Sequence, residues 1–156
     1  MTGKLRKEIK QNKPFESLEV EAFLNIVRTA DAFERNNAEL FKLFDLTVTQ
    51  FNVLRILRGA GEEGLNCREI SERMLTFDPD VTRLLDRMET REFVCRSRDA
   101  KDRRVITVRI TQSGLNLVKE LDQKVLDLHK QQLGHLGERK LQRLINLLES
   151  AREALQ

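Results

Sequence analysis

The sequence predicts a mostly helical protein of the α+β class, in which amphipathic helices surround one small two-stranded hairpin. Only 7 glycines and 2 prolines occur in 156 residues, too few for the frequent turns of an all-β chain. Apolar residues recur at steps of three and four along most of the chain, which is typical of helices. The period changes to two only between residues 94 and 110, where alternation indicates strands.

The composition is that of a globular protein. Hydrophobic residues make up 40% and charged residues 34%, which is enough to bury a core and excludes wholesale disorder. No apolar run approaches the roughly 18 residues that cross a bilayer, and no apolar signal core follows the basic N-terminal residues. We therefore expect a single domain over residues 1–156, a cytoplasmic location and no membrane partner.

The first half of the chain predicts four helices. Apolar spacing between residues 15 and 44 indicates one long helix, with a break near Asn36 and Asn37 as an alternative. Two capping-box spacings, in which each side chain can satisfy a free backbone donor, start the next two helices; they are Thr47 with Gln50 and Asn66 with Glu69. The pair Asp78-Pro79 predicts the start of the fourth helix, with an acidic N-cap followed by proline.

The second half predicts a hairpin and two further helices. Segments 94–98 and 105–110 alternate as strands around a polar turn, and such a hairpin must pack on helices to be stable. Thr111 and Gly114 introduce a long fifth helix, and Gly134 and Gly137 separate it from a last helix that extends to Leu155. We expect Cys67 and Cys95 to be reduced thiols in buried structural positions, with redox sensing as the alternative.

Two short helices followed by a hairpin and flanked by long helices is the order of a winged helix-turn-helix. The fourth helix has an apolar side and a polar side that no core could compensate. Arg83 and Arg87 project from one face, and a guanidinium can donate two parallel hydrogen bonds to guanine or bind phosphate. The candidate residues of this recognition helix are Asp80, Thr82, Arg83 and Arg87.

The hairpin concentrates the positive charge of the chain. Between residues 96 and 109 there are six basic and two acidic residues, whereas the whole chain has a net charge of only +3. A basic hairpin can enter the electronegative minor groove while a helix occupies the major groove. The candidate DNA-binding residues of this wing are Arg96, Arg98, Lys101, Asp102, Arg103 and Arg104.

Over nearly its full length the chain resembles the MarR family of transcriptional regulators. The family signature of Asp, any residue, Arg, five residues and Leu-Thr is present from Asp102 to Thr111, with Ile110 for Leu. The segment 79–89 is also similar to the family's recognition helix. The resemblance implies that Arg104 enters the minor groove, that Asp102 orients it, and that Thr82, Arg83 and Arg87 contact DNA from the helix. Glu92 stands where the family often has glycine, so the sequence does not fix the residue at which the recognition helix ends or the angle of the wing.

The resemblance also implies a homodimer, with residues 1–45 and 112–156 as a helical dimerisation region and residues 46–111 as the winged-helix DNA-binding region. The long C-terminal apolar stripe independently needs a partner. A twofold dimer places its recognition helices on half-sites about 10 bp apart. The family's usual control point implies a small-molecule effector as a possible partner, whose binding residues the sequence does not identify.

The leading hypothesis is a homodimeric, sequence-specific regulator that binds double-stranded DNA, represses by occupying a near-palindromic operator and is released by a small-molecule or redox signal. The alternative is a helical protein-interaction module whose basic hairpin binds acidic proteins without sequence-specific DNA binding. A solvated helix face would then explain Arg83 and Arg87. No catalytic arrangement is visible, and His129 and His135 are too far apart in sequence to share a helix face as metal ligands. We expect no enzyme activity, cofactor or metal.

Overall fold

The computed structural model describes residues 3–98 and 104–155. The predicted fold class is confirmed, because the described chain is mostly helical with one small antiparallel sheet. The chain divides into two compact units, residues 1–45 and residues 46–156. None of the described helices combines the length and the apolar character needed to cross a membrane.

The first unit contains a short helix, α1 (Leu5–Glu8), and a long helix, α2 (Leu18–Lys42). Helix α1 was not predicted. Helix α2 begins later than its apolar pattern indicated because the Ser17 hydroxyl caps it, accepting a hydrogen bond from the Val20 backbone N–H at 3.3 Å. The helix is continuous through Asn36 and Asn37, so the alternative of a break there is wrong.

The second unit contains the remaining elements. In chain order they are α3 (Val48–Ala60), a 3-10 turn (Gly61–Glu63), β1 (Leu65–Asn66), α4 (Cys67–Arg73), α5 (Val81–Thr90), β2 (Val94–Arg98), β3 (Ile106–Ile110), α6 (Gln112–Leu133), a second 3-10 turn (Gly134–Leu136) and α7 (Glu138–Glu153). Both predicted capping boxes are present, at the starts of α3 and α4. The glycine-rich interruption between α6 and α7 is also present.

The sheet has one strand more than predicted among the described residues. Its antiparallel strands lie in the order β1-β3-β2. Strand β1 has only two residues, and Leu65 pairs with Val108 of β3. Gly64 makes this pairing possible because its φ of +69° is accessible to glycine, and a Cβ there would lie 2.5 Å from the Val108 carbonyl oxygen.

The core of the second unit is formed by side chains from both helices and strands. Its largest fully buried members are Val53, Leu54, Leu57, Ile70, Leu85, Met88, Val94, Val108, Val118 and Leu121. They belong to α3, α4, α5, β2, β3 and α6, so the recognition helix and the hairpin are anchored on the same core. A close-packed common base of this kind holds α5 and the hairpin in a defined relation.

The expectation that Cys95 is buried was wrong. Cys95 is exposed and Cys67 is half-buried. Along β2 it is Val94 that faces the core, with 1% of its surface exposed, so its neighbour Cys95 lies on the opposite side of the sheet. The sequence interpretation assigned the inward side to Cys95 because the alternate positions 96 and 98 are arginines, which are rarely buried unless paired.

Candidate nucleic-acid interface

The recognition helix α5 begins two residues later than the pair Asp78-Pro79 predicts, at Val81 instead of Pro79. Asp80 is the N-cap, and its Oδ1 accepts a hydrogen bond from the Arg83 backbone N–H at 3.0 Å. Asp78 instead accepts a hydrogen bond from the Asp80 backbone N–H at 2.8 Å, a local turn that leads the chain into the helix. The second oxygen of Asp80 lies 3.1 Å from Arg83 Nε.

Helix α5 separates apolar from polar side chains as the sequence predicted. Val81, Leu84, Leu85 and Met88 are buried, whereas Thr82, Arg83 and Arg87 are exposed. Eighty-three per cent of the Arg83 side chain is accessible. The structure therefore brings the predicted helix contacts together on one solvent-facing surface, which we call the reading face of α5 (Thr82, Arg83 and Arg87).

Helix α5 ends in a regular C-terminal cap although Glu92 stands where the family often has glycine. Glu92 adopts the left-handed conformation with φ +57°, and its backbone N–H donates to the Glu89 carbonyl at 2.8 Å. The Phe93 N–H then reaches the Met88 carbonyl at 3.0 Å. These two bonds form the Schellman arrangement that glycine usually closes. The helix therefore ends at a left-handed residue although glycine is absent, and the Thr111 hydroxyl donates a hydrogen bond to the Glu92 carbonyl oxygen at 2.5 Å.

Arg96, predicted as a wing contact, points towards α5. Its Nη1 lies 2.5 Å from Asp86 Oδ1 and 3.2 Å from Glu89 Oε2. Its Nη2 donates to the Thr82 carbonyl oxygen at 3.2 Å. Its backbone N–H also donates to Glu89 Oε1 at 3.1 Å. The guanidinium thus joins strand β2 to both ends of the recognition helix.

Arg98 differs from Arg96 although both belong to the same strand. Arg98 is exposed, and no ion pair joins it to another residue in the ranges 3–98 and 104–155. The predicted wing residues Lys101, Asp102 and Arg103 lie outside the described residues. Arg104 is described and exposed. Their roles in DNA binding remain predictions.

Arg109, which contributed to the positive charge count of the hairpin, is also engaged within the protein. Its Nε donates to the Glu62 carbonyl at 2.7 Å and its Nη1 donates to the Ser97 hydroxyl at 2.6 Å. It therefore ties the turn after α3 to strands β2 and β3. The charge available to a partner is accordingly smaller than the sequence count suggests.

An open groove of about 550 Å³ lies beside the reading face, between α4 and the start of α5. Cys67 and Thr82 contribute to it and approach each other, with 3.9 Å between Sγ and Oγ1. Arg68 lies at its edge, and hydrogen bonding and Coulombic attraction from Glu72 raise the pKa of the Arg68 guanidinium. Phe77, which sequence reasoning passed over, also lines the groove and is 89% exposed.

Comparison with known proteins finds relatives of the same winged-helix architecture and assigns the chain to a family. The model of the MarR family matches residues 46–106. The chain is 30% identical over 127 residues to the HTH-type transcriptional repressor IacR of Pseudomonas putida, covering 81% of this chain and 75% of that protein. It is 33% identical over 107 residues to the HTH-type transcriptional regulator TtmR of Methylorubrum extorquens, covering 69% of this chain and 54% of that protein.

Solved structures agree with this assignment. A MarR transcription factor from Planctomyces limnophilus is 41% identical with a TM-score of 0.68, covering 86% of this chain and 98% of that one. MepR of S. aureus, solved as a DNA complex, is 22% identical with a TM-score of 0.76 over 89% of this chain and 99% of that one, and supports the fold. The family consists of transcription regulators and not of enzymes. This chain belongs to the MarR family of winged-helix transcription regulators.

Proposed function

We propose that the protein is a homodimeric repressor that binds double-stranded DNA sequence-specifically at a near-palindromic operator. The reading face of α5 occupies the major groove, and the hairpin of β2 and β3 approaches the neighbouring minor groove. The observation that carries this proposal is the reading face itself. Three exposed polar side chains project from a helix whose opposite side is buried and whose two ends are both capped, as direct reading of base edges requires.

The proposed contacts follow from exposure and chemistry. Arg83 and Arg87 offer guanidinium groups to guanine or to phosphate, and Thr82 offers a hydroxyl and a methyl group. On the wing, Arg98, Lys101, Arg103 and Arg104 supply positive charge, with Asp102 orienting Arg104 as in the family signature. The main role of Asp80 in this proposal is to cap the N-terminus of α5 and so to position Arg83.

Exposed apolar helix surface supports the proposed homodimer. None of the 16 residues of α7, all of them described, is buried in the single chain. Its exposed apolar side chains include Ile145 at 47% and Leu147 at 60%, and α2 adds Phe23 at 62%. Such surface is normally covered by a partner. In a twofold dimer the two reading faces would meet half-sites about 10 bp apart.

Control by an effector completes the proposal. Repression by occupying the operator is supported by the name of IacR, a transcriptional repressor that shares 30% of its aligned residues with this chain. We propose release by a small molecule or a redox signal, and a cytoplasmic site of action as expected for a regulator of this class. The exposed Cys95 is the thiol that an oxidant would reach more readily.

The test is selection of bound duplexes from a random library by the purified protein at two salt concentrations. The expected result is an enriched near-palindrome with about 10 bp between half-site centres. Arg87→Ala should change the preferred bases, whereas Arg104→Ala should weaken binding to every duplex. Lys119→Ala, an exposed change on α6 outside the winged helix, is the matched control. Binding that shows no sequence enrichment and is lost when salt is added would contradict the proposal. It would favour the alternative of a protein-interaction module whose basic hairpin binds acidic proteins.

A further inference from the structure

We propose that Arg96 is a positioning residue that locks the wing to the recognition helix, and that it does not bind DNA phosphate. This role rests on the proposed function, since it concerns how the two reading elements are held. The sequence places Arg96 among six basic residues of the hairpin. The structure assigns it a different task from that of its neighbour Arg98.

The first argument is the number and location of the acceptors around the guanidinium. Arg96 contacts Asp86 at 2.5 Å, Glu89 at 3.2 Å and the Thr82 carbonyl at 3.2 Å. Thr82 lies in the first turn of α5 and Glu89 in the last. One planar group is therefore hydrogen-bonded to residues from both ends of the helix, which the forked donor geometry of arginine allows.

The second argument is local charge. Arg96 and its two carboxylate partners together carry a net charge of −1, so a phosphate that approached this guanidinium would also meet Asp86 and Glu89. Only 22% of the Arg96 side chain is accessible. A contact of this kind would replace existing charge-assisted hydrogen bonds instead of adding one.

The third argument is the phase of the strand. Arg96 pairs with Val108 of β3 and lies two residues after Val94, on the same side of the strand. Both valines are 1% exposed. Arg96 therefore lies on the inward side of the hairpin, where α5 packs. Beyond it, Arg98 extends towards the wing tip and is exposed. Among the described residues of β2, Arg96 therefore follows Val94 on the side that packs against α5.

The consequence concerns specificity. A dimer that reads the major groove with α5 and the minor groove with the wing gains from both only when the two elements keep one relative orientation. Loss of the Arg96 contacts lets them move separately, which penalises the correct operator more than a random duplex. Binding to random duplexes depends on the number of phosphates neutralised and not on that orientation.

The experiment measures the affinity of Arg96→Gln, Arg96→Lys and the matched control Arg98→Gln for the selected operator and for a random duplex over a series of salt concentrations. For Arg96→Gln we expect about a tenfold smaller operator preference, with the affinity for random duplex and the salt slope as in the wild type. Lysine, a single point charge, should fail to restore the preference. Arg98→Gln should weaken both duplexes and reduce the salt slope by about one.

A second variant guards against loss of folding. Asp86→Asn combined with Glu89→Gln keeps Arg96 but removes both carboxylates, and should lower the operator preference while raising affinity for random duplex. Urea titration selects conditions in which each variant is folded. A reduced salt slope and weaker random binding in Arg96→Gln, restored by lysine, would overturn the positioning role. A wild-type protein without operator preference would refute the proposed function itself, an outcome distinct from failure of Arg96→Gln alone.

Discussion

Asp80 performs two tasks at the start of the recognition helix that substitution can separate. Its Oδ1 accepts the Arg83 backbone N–H at 3.0 Å, and its Oδ2 pairs with the Arg83 side chain at 3.1 Å. An N-cap of this type contributes about 1 kcal/mol. The ion pair contributes less, because the Arg83 side chain is 83% exposed and solvent screens the interaction.

Asp80→Ala should therefore lower the free energy of unfolding by about 1 kcal/mol. Asp80→Asn keeps an acceptor of nearly equal capping strength and should lower it by only about 0.3 kcal/mol, through the lost attraction of the carboxylate to the helix dipole. The assay is urea unfolding at one fixed protein concentration, because coupling to dimerisation makes stability depend on concentration. Equal destabilisation by alanine and asparagine would refute the capping argument and make charge the main contribution.

The same pair of variants tests the interface. Both remove the carboxylate that holds the Arg83 guanidinium, so both should bind random duplex more tightly at low salt, with a salt slope larger by up to about one. Weaker binding by both would indicate that the Asp80 carboxylate itself accepts a hydrogen bond from a base, as cytosine N4 permits.

Two further predictions concern backbone positions. Gly64→Ala should destabilise the protein by about 2 kcal/mol, since φ is +69° and the new Cβ would lie 2.5 Å from the Val108 carbonyl oxygen. The control is Gly59→Ala in α3, where the new Cβ would have no atom within 4 Å. This control should stabilise the protein by about 0.5–1 kcal/mol. Glu92→Gly should be about 1 kcal/mol more stable in urea than Glu92→Ala, because only glycine adopts φ +57° without strain. Equal stability of the two Glu92 variants would contradict a left-handed residue there.

Local signals account for most of the fold that the sequence predicts. The capping boxes at Thr47 and Asn66 and the cap at Thr111 are bonds between residues three apart, so no tertiary information is needed to find them. Where two local signals compete, as Asp78 and Asp80 do, the sequence does not choose between them. Strand β1 is missed for a different reason, since its two residues pair with β3 about forty residues later.

The amino-acid sequence by itself determined the helical periods, the caps, the basic hairpin and the reading face of α5, because each depends on residue types at short spacing. Only the tertiary structure decided which basic side chains are paired within the protein and which are exposed. Arg96 and Arg98 are the same residue type on one strand, yet Arg96 is held by Asp86 and Glu89 whereas Arg98 is exposed. The difference arises because packing of α5 against β2 brings two carboxylates beside one guanidinium and not the other, and the pattern of charges along a chain does not specify that distance.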